Sequence, residues 1–71
     1  MVKIRLAACR VNARMTIDQV SEETGLGLKK IVDYERGRIP IPREDLEMFA
    51  RLYDIPVEYI MEVQPHVDFR G

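Results

Sequence analysis

Apolar residues recur along this chain at the three-and-four spacing of helices rather than the alternation of strands. Leu6, Cys9 and Ala13 form such a stripe and predict a first helix over about 2–12. The next segment carries a full start signal. Thr16 with Gln19 three residues on makes a capping box, and Met15 with Val20 makes the hydrophobic staple that accompanies one. Gly25 supplies the stop, so a second helix is expected over about 17–24. After only Leu26 and Gly27 a third begins, over about 28–35, with Leu28, Ile31 and Tyr34 on one side and Gly37 at its end. Pro40 and Pro42 force an extended link, and Pro42 suits the first turn of a fourth helix reaching about 53, with Leu46, Phe49, Ala50 and Tyr53 inward. Pro56 opens a short fifth helix to about 62, and Pro65 releases a tail. The expected fold is all-α, a compact five-helix bundle over 1–62 followed by a tail over 63–71.

Composition narrows the classes of function. Seventy-one residues, 46% hydrophobic and 32% charged, suit one small domain whose core leaves a thin margin of stability. The apolar runs are too short to cross a bilayer, and the N-terminus has no signal-peptide core, so a cytoplasmic protein is expected. A lone Cys9 forms no internal disulfide and reads as a small core hydrophobe, with redox sensing the other use. With His66 on the tail as the one histidine, no metal site and no cofactor are expected. Nor is an enzyme: there is no nucleophile with a base, and Gly25 and Gly27 are explained by the corner between two helices.

The net charge of −1 argues weakly against nucleic acid, but its distribution changes the picture. Lys3, Arg5, Arg10 and Arg14 make the first segment basic, and Lys29, Lys30, Arg36 and Arg38 outnumber Asp33 and Glu35 in the middle. Glu44, Asp45, Glu47, Asp54, Glu58 and Glu62 place the acid towards the end. A basic half turned to a duplex and a surface of mixed ion pairs are both compatible with this order.

Taken together, "MT" at the second helix, Gly25-Leu26 at the turn, Ile31 within the third helix, "YERGR" over 34–38 and "LEMFARLYDIPVEYI" over 46–60 carry a resemblance. In order and spacing the chain resembles the Cro and repressor-type (XRE) helix-turn-helix domains, with their lambda-repressor-like fold. The resemblance implies a dimeric, bacterial or phage-encoded regulator, a repressor, that lays its third helix in the major groove of a double-stranded operator. It places Leu28, Lys29 and Asp33 at base edges, with Lys30 beside them. Phosphates would fall to Thr16, Ile17, Arg36, Arg38 and Arg43. It also implies a buried ion pair, Arg10 with Glu35, tying the first helix to the end of the third.

Chemistry supports this set unevenly. Lys29 suits guanine O6 or N7, and Leu28 suits a thymine methyl. Leu28 could equally fold onto the core or meet another protein. Asp33 can accept from cytosine N4 only if a cation such as Lys29, one turn earlier, offsets its repulsion by phosphates. Glu47 lies one turn beyond Arg43 and can hold it. Dimer contacts are expected from Tyr53, Ile55, Val57, Tyr59 and Met61, and Val67 with Phe69 in the tail alternate as a strand does. The competing reading is a protein-interaction module or antirepressor that kept the fold and lost the DNA surface; net acidity, Ile17 without a donor, Leu28 and Asp33 favour it.

Overall fold

The computed structural model describes residues 3–61. Four α-helices follow in order, α1 (Leu6–Asn12), α2 (Ile17–Thr24), α3 (Leu28–Glu35) and α4 (Arg43–Tyr53), then a single 3-10 turn at Val57–Tyr59. Two short strands, β1 (Ile4–Arg5) and β2 (Ile60–Met61), pair in parallel, with Ile4 opposite Ile60 and Arg5 opposite Met61.

This pairing corrects two expectations. The first helix starts at Leu6, because Ile4 and Arg5 are extended and bonded to the far end of the domain. The fifth helix is replaced by the 3-10 turn, because Ile60, buried among the core side chains, leaves the helical path to meet Ile4. A β-branched pair packs well across a ladder and poorly against a preceding helical turn. The proposed end of that helix at Glu62, the tail over 63–71, His66 and the alternating Val67 and Phe69 lie outside the described residues.

α2 and α3 have the bounds their signals imply, and the reason is local. The Thr16 hydroxyl accepts from the Gln19 amide at 3.1 Å while Gln19 Oε1 accepts from the Thr16 amide at 2.8 Å. Val20, fully buried, and Met15, packed on the core, complete the staple. Three helix ends then share one device, a residue in the left-handed region followed by an amide that bonds back five residues. At α1 it is Arg14 (φ 60°) with Met15 donating to the Arg10 carbonyl, at α3 Gly37 (φ 72°) with Arg38 donating to Asp33, and at α4 Asp54 (φ 57°) with Ile55 donating to Ala50.

The core gathers Leu6, Cys9, Val20, Ile31, Tyr34, Ile41, Leu46, Phe49, Ala50, Tyr53 and Ile60. Phe49 sits at its centre, edge-on to Tyr34 with ring centroids 6.1 Å apart and stacked on Tyr53 at 6.0 Å, contacts each worth about 1 kcal/mol beyond area burial. Tyr53 is therefore spent inside and is not available to a partner, while Ile55 and Val57 pack against the same core. Of the side chains of that expected dimer set that are described, Tyr59 stays exposed, and the side chain of Met61 lies outside the description. Ala13 is exposed as well, since α1 ends before it. Cys9 is buried, its Sγ 3.7 Å from the Ile4 carbonyl, and burial pushes the thiol pKa up, away from the thiolate that redox sensing needs.

Candidate nucleic-acid interface

The corner between α2 and α3 decides what α3 can present. Gly25 turns the chain at φ 80°, a conformation that a side chain would strain. Side chains then lock the turn. Ser21 Oγ donates to the Leu26 carbonyl at 2.6 Å, and Thr24 Oγ1 donates to the Val20 carbonyl at 2.7 Å while accepting from the Leu26 amide at 3.2 Å. α3 leaves this corner from Gly27, whose extended backbone (φ −68°, ψ 154°) caps the helix with no side chain.

One side of α3 is sunk in the domain through Ile31 and Tyr34. Its first turn is open. Leu28 is 48% exposed, the Lys29 side chain 87% exposed, and Lys30 is exposed too. Leu28 thus departs from the stripe it was expected to share with Ile31 and Tyr34. It stands as an uncovered apolar side chain between two lysines and the turn.

Asp33 does not share that exposure. Its side chain is only 10% exposed, with Oδ2 2.8 Å from Lys29 Nζ and Oδ1 3.4 Å from Arg38 Nη1. The hydrogen bond from Lys29 leads in holding its carboxyl below the usual carboxylate range, outweighing burial, and Arg38 adds to it. Of the residues assigned to base edges, three are displayed and the fourth is turned onto its own cations. Lys29 belongs to both groups.

The residues assigned to phosphates are less uniform. The Thr16 hydroxyl and amide are both used by Gln19, and Ile17 is half-buried against the core. The amides of Ile17 and Asp18 still fall in the first turn of α2, where a helix has no acceptor of its own to offer them. Arg36 is exposed at the end of α3. Arg38 is shared with Asp33, and Arg43 Nε donates to Glu47 Oε2 at 3.0 Å on an exposed face of α4.

Beneath this surface α3 is tied down at its far end. Arg10 Nε and Nη2 donate to the two carboxylate oxygens of Glu35 at 2.8 and 3.2 Å, and Nη1 donates to the Met15 carbonyl at 3.0 Å. The fork joins α1, the loop after it and α3 in one polar contact. Beside it the Tyr53 hydroxyl is buried with no hydrogen-bond partner among the described residues; burial first, then the Glu35 charge, push its pKa up. Tyr34 donates its hydroxyl to Asp45 Oδ2 at 2.6 Å, joining α3 to α4. Burial, followed by that bond, pushes its pKa up to about 12.

Sequence reasoning missed the Tyr34–Asp45 bond, the Arg38 arm of the Asp33 contact and the hydroxyls that lock the corner. A signal existed for one. Gly37 just before Arg38 marks a helix end that folds the next residue back over Asp33. Among the described residues no group of histidines, cysteines and carboxylates is placed to hold a metal ion, and no helix is long and apolar enough to cross a membrane.

Comparison with known proteins agrees with this geometry. A family model described as a helix-turn-helix domain matches residues 4–60, from β1 to β2. The chain is 33% identical over 57 residues to the uncharacterized HTH-type transcriptional regulator YobD of Bacillus subtilis (strain 168), covering 80% of this chain and 51% of that protein. It therefore spans about half the length of the relative it matches. No solved structure matches it. With the family model spanning the four helices, and a turn between α2 and α3 built as that motif requires, the chain belongs to the helix-turn-helix family, consistent with the Cro and repressor (XRE) type it resembles.

Proposed function

We propose that this chain is a sequence-specific DNA-binding transcriptional regulator, a repressor, that works as a homodimer and inserts α3 into the major groove of a double-stranded operator. The observation that carries this reading is the exposed start of α3, where Leu28, Lys29 and Lys30 stand clear of the domain while Ile31 and Tyr34 seat the helix further along. A helix held in this way offers its first turn to base edges without rearranging its core. Lys29 and Lys30 are donors suited to guanine, and Leu28 is an apolar tip suited to a thymine methyl. In this reading Arg36, Arg38 and the first-turn amides of α2 contact phosphates and set register. Asp33 is left out of the base-contacting set, because its carboxylate is occupied by Lys29 and Arg38.

Selection of bound duplexes from a random pool at moderate salt tests the reading. A palindromic enriched site with half-sites about one turn, roughly 34 Å, apart is expected. Affinity for it falls with salt at a slope of about −0.9 for each phosphate neutralised. An unenriched pool and a flat salt response would reject it. They would favour the second reading, an interaction module or antirepressor, for which the specific observation is Leu28, a large apolar side chain left 48% exposed. The double substitution Lys29→Ala with Arg38→Ala separates the two. The regulator loses its operator and stays folded, whereas the interaction module keeps its partner.

A further inference from the structure

Lys29 and Arg38 converge on a single carboxylate from opposite ends of α3. Lys29 reaches Asp33 from one helical turn earlier, at 2.8 Å. Arg38 reaches it from beyond the helix end, at 3.4 Å, brought back by the left-handed Gly37 and by its own amide, which donates to the Asp33 carbonyl at 2.9 Å. The cations are outside, with side chains 87% and 57% exposed, and the anion is inside, at 10%. A surface salt bridge has two mobile, solvated partners. Here the carboxylate is fixed by the helix and mostly shielded from water, and only the cations are free to move.

We propose that Asp33 is a built-in counter-ion for the DNA-facing surface, occupying Lys29 and Arg38 as a duplex phosphate or base acceptor would and yielding them only where the duplex offers both a better partner. The idea rests on the DNA-binding reading above. Any duplex brings phosphates near these cations, but each must compete with a carboxylate that is already in place and has no entropy left to lose. Unselected DNA is therefore bound more weakly than the exposed cations alone would give. A site that satisfies Lys29 at a base edge and Arg38 at a phosphate repays the exchange, so the contact acts on specificity. The two arms differ. The bond to Arg38, at 3.4 Å, yields first, and the bond to Lys29, at 2.8 Å, yields last. Asp33 is in this sense a positioning residue that acts through Lys29 and Arg38.

The test compares wild type with Asp33→Asn on two duplexes, one of unselected sequence and the site enriched in the selection above. The variant is expected to bind the unselected duplex about three- to tenfold more tightly, with a salt slope steeper by about 0.9 for each cation released per protomer. The ratio of specific to unselected affinity is expected to fall by a similar factor. Removing a negative charge strengthens DNA binding in general, so the decisive measurement is a cycle. In a background carrying Lys29→Gln and Arg38→Gln, the counter-ion role leaves Asp33→Asn with only the small gain that removing any negative charge there would give, well below its gain in wild type. A gain as large there as in wild type would overturn the proposal, as would an Asp33→Asn protein that is folded yet binds the unselected duplex with unchanged slope. Should the asparagine variant not fold, Asp33→Ser removes the carboxylate with less bulk and gives the same readouts. If wild type binds neither duplex, the DNA reading itself fails and this inference with it; wild-type binding without the coupling rejects the counter-ion alone.

Discussion

The two ends of α3 are built on opposite terms. At its start Gly27 caps the helix without a side chain, and Leu28, Lys29 and Lys30 reach into solvent. At its end four polar contacts converge on three residues. Asp33 holds Lys29 and Arg38, Tyr34 reaches Asp45 on α4, and Glu35 grips Arg10 on α1. A helix meant to enter a groove must leave one end uncovered, so its angle has to be set from the other. The anchored end does this with directed hydrogen bonds, which fix orientation in a way that apolar packing does not.

Breaking the anchored end should therefore have the largest effect. Glu35→Gln leaves the Arg10 guanidinium, mostly buried, facing a neutral amide in place of a two-pronged carboxylate. A loss of roughly 3 kcal/mol is expected in urea unfolding, at the lower end for a buried pair because Arg10 keeps some access to water. Replacing the pair with Arg10→Met and Glu35→Met together should recover much of that loss. The recovered protein then separates stability from orientation. If the pair sets the angle of α3, the double variant stays folded and binds the enriched duplex more weakly.

Tyr34 comes next. Tyr34→Phe keeps the edge-on contact with Phe49 and removes the bond to Asp45, at an expected cost of about 1–2 kcal/mol. The same bond predicts a pH dependence whose sign follows from protonation. The folded state holds the phenol proton up to about 12, above its ordinary value of 10.0. The stabilisation is therefore complete below the unfolded value and lost as pH rises from there through the folded one. Unfolding followed by denaturant between about pH 9 and about pH 12 should show wild type losing stability more steeply than Tyr34→Phe. Parallel curves would mean that the hydroxyl is not held.

What could be read in advance follows the range of the interactions. α2 and α3 were legible because their caps are local: Thr16 with Gln19, then Gly25, then Gly37. The start of α1 and the loss of the fifth helix were not, because both follow from Ile4 meeting Ile60, a pairing that no local pattern announces. Leu28 fell on a plausible inner stripe by spacing, but it is the first residue of α3, and spacing does not tell whether the domain extends far enough to cover that end. Asp33 was assigned to base edges with Lys29 as its neutralising neighbour. The second cation, Arg38, arrives through a left-handed Gly37, which a helical wheel does not contain.

The open end supplies the smallest effect and the sharpest check on why it is open. Gly27 has the backbone of a helix cap, and a side chain built there meets nothing within 4 Å. Gly27→Ser thus adds a hydroxyl able to accept from the first turn of α3, with an expected gain of a few tenths of a kcal/mol in unfolding free energy. If α3 is positioned by its anchored end alone, this variant is slightly more stable and binds the enriched duplex as wild type does, or a little better through a hydroxyl near phosphate. A marked loss of binding in a protein that is no less stable would mean that the first turn must give on contact with DNA. The bare cap at Gly27 would then be a source of movement as well as of exposure.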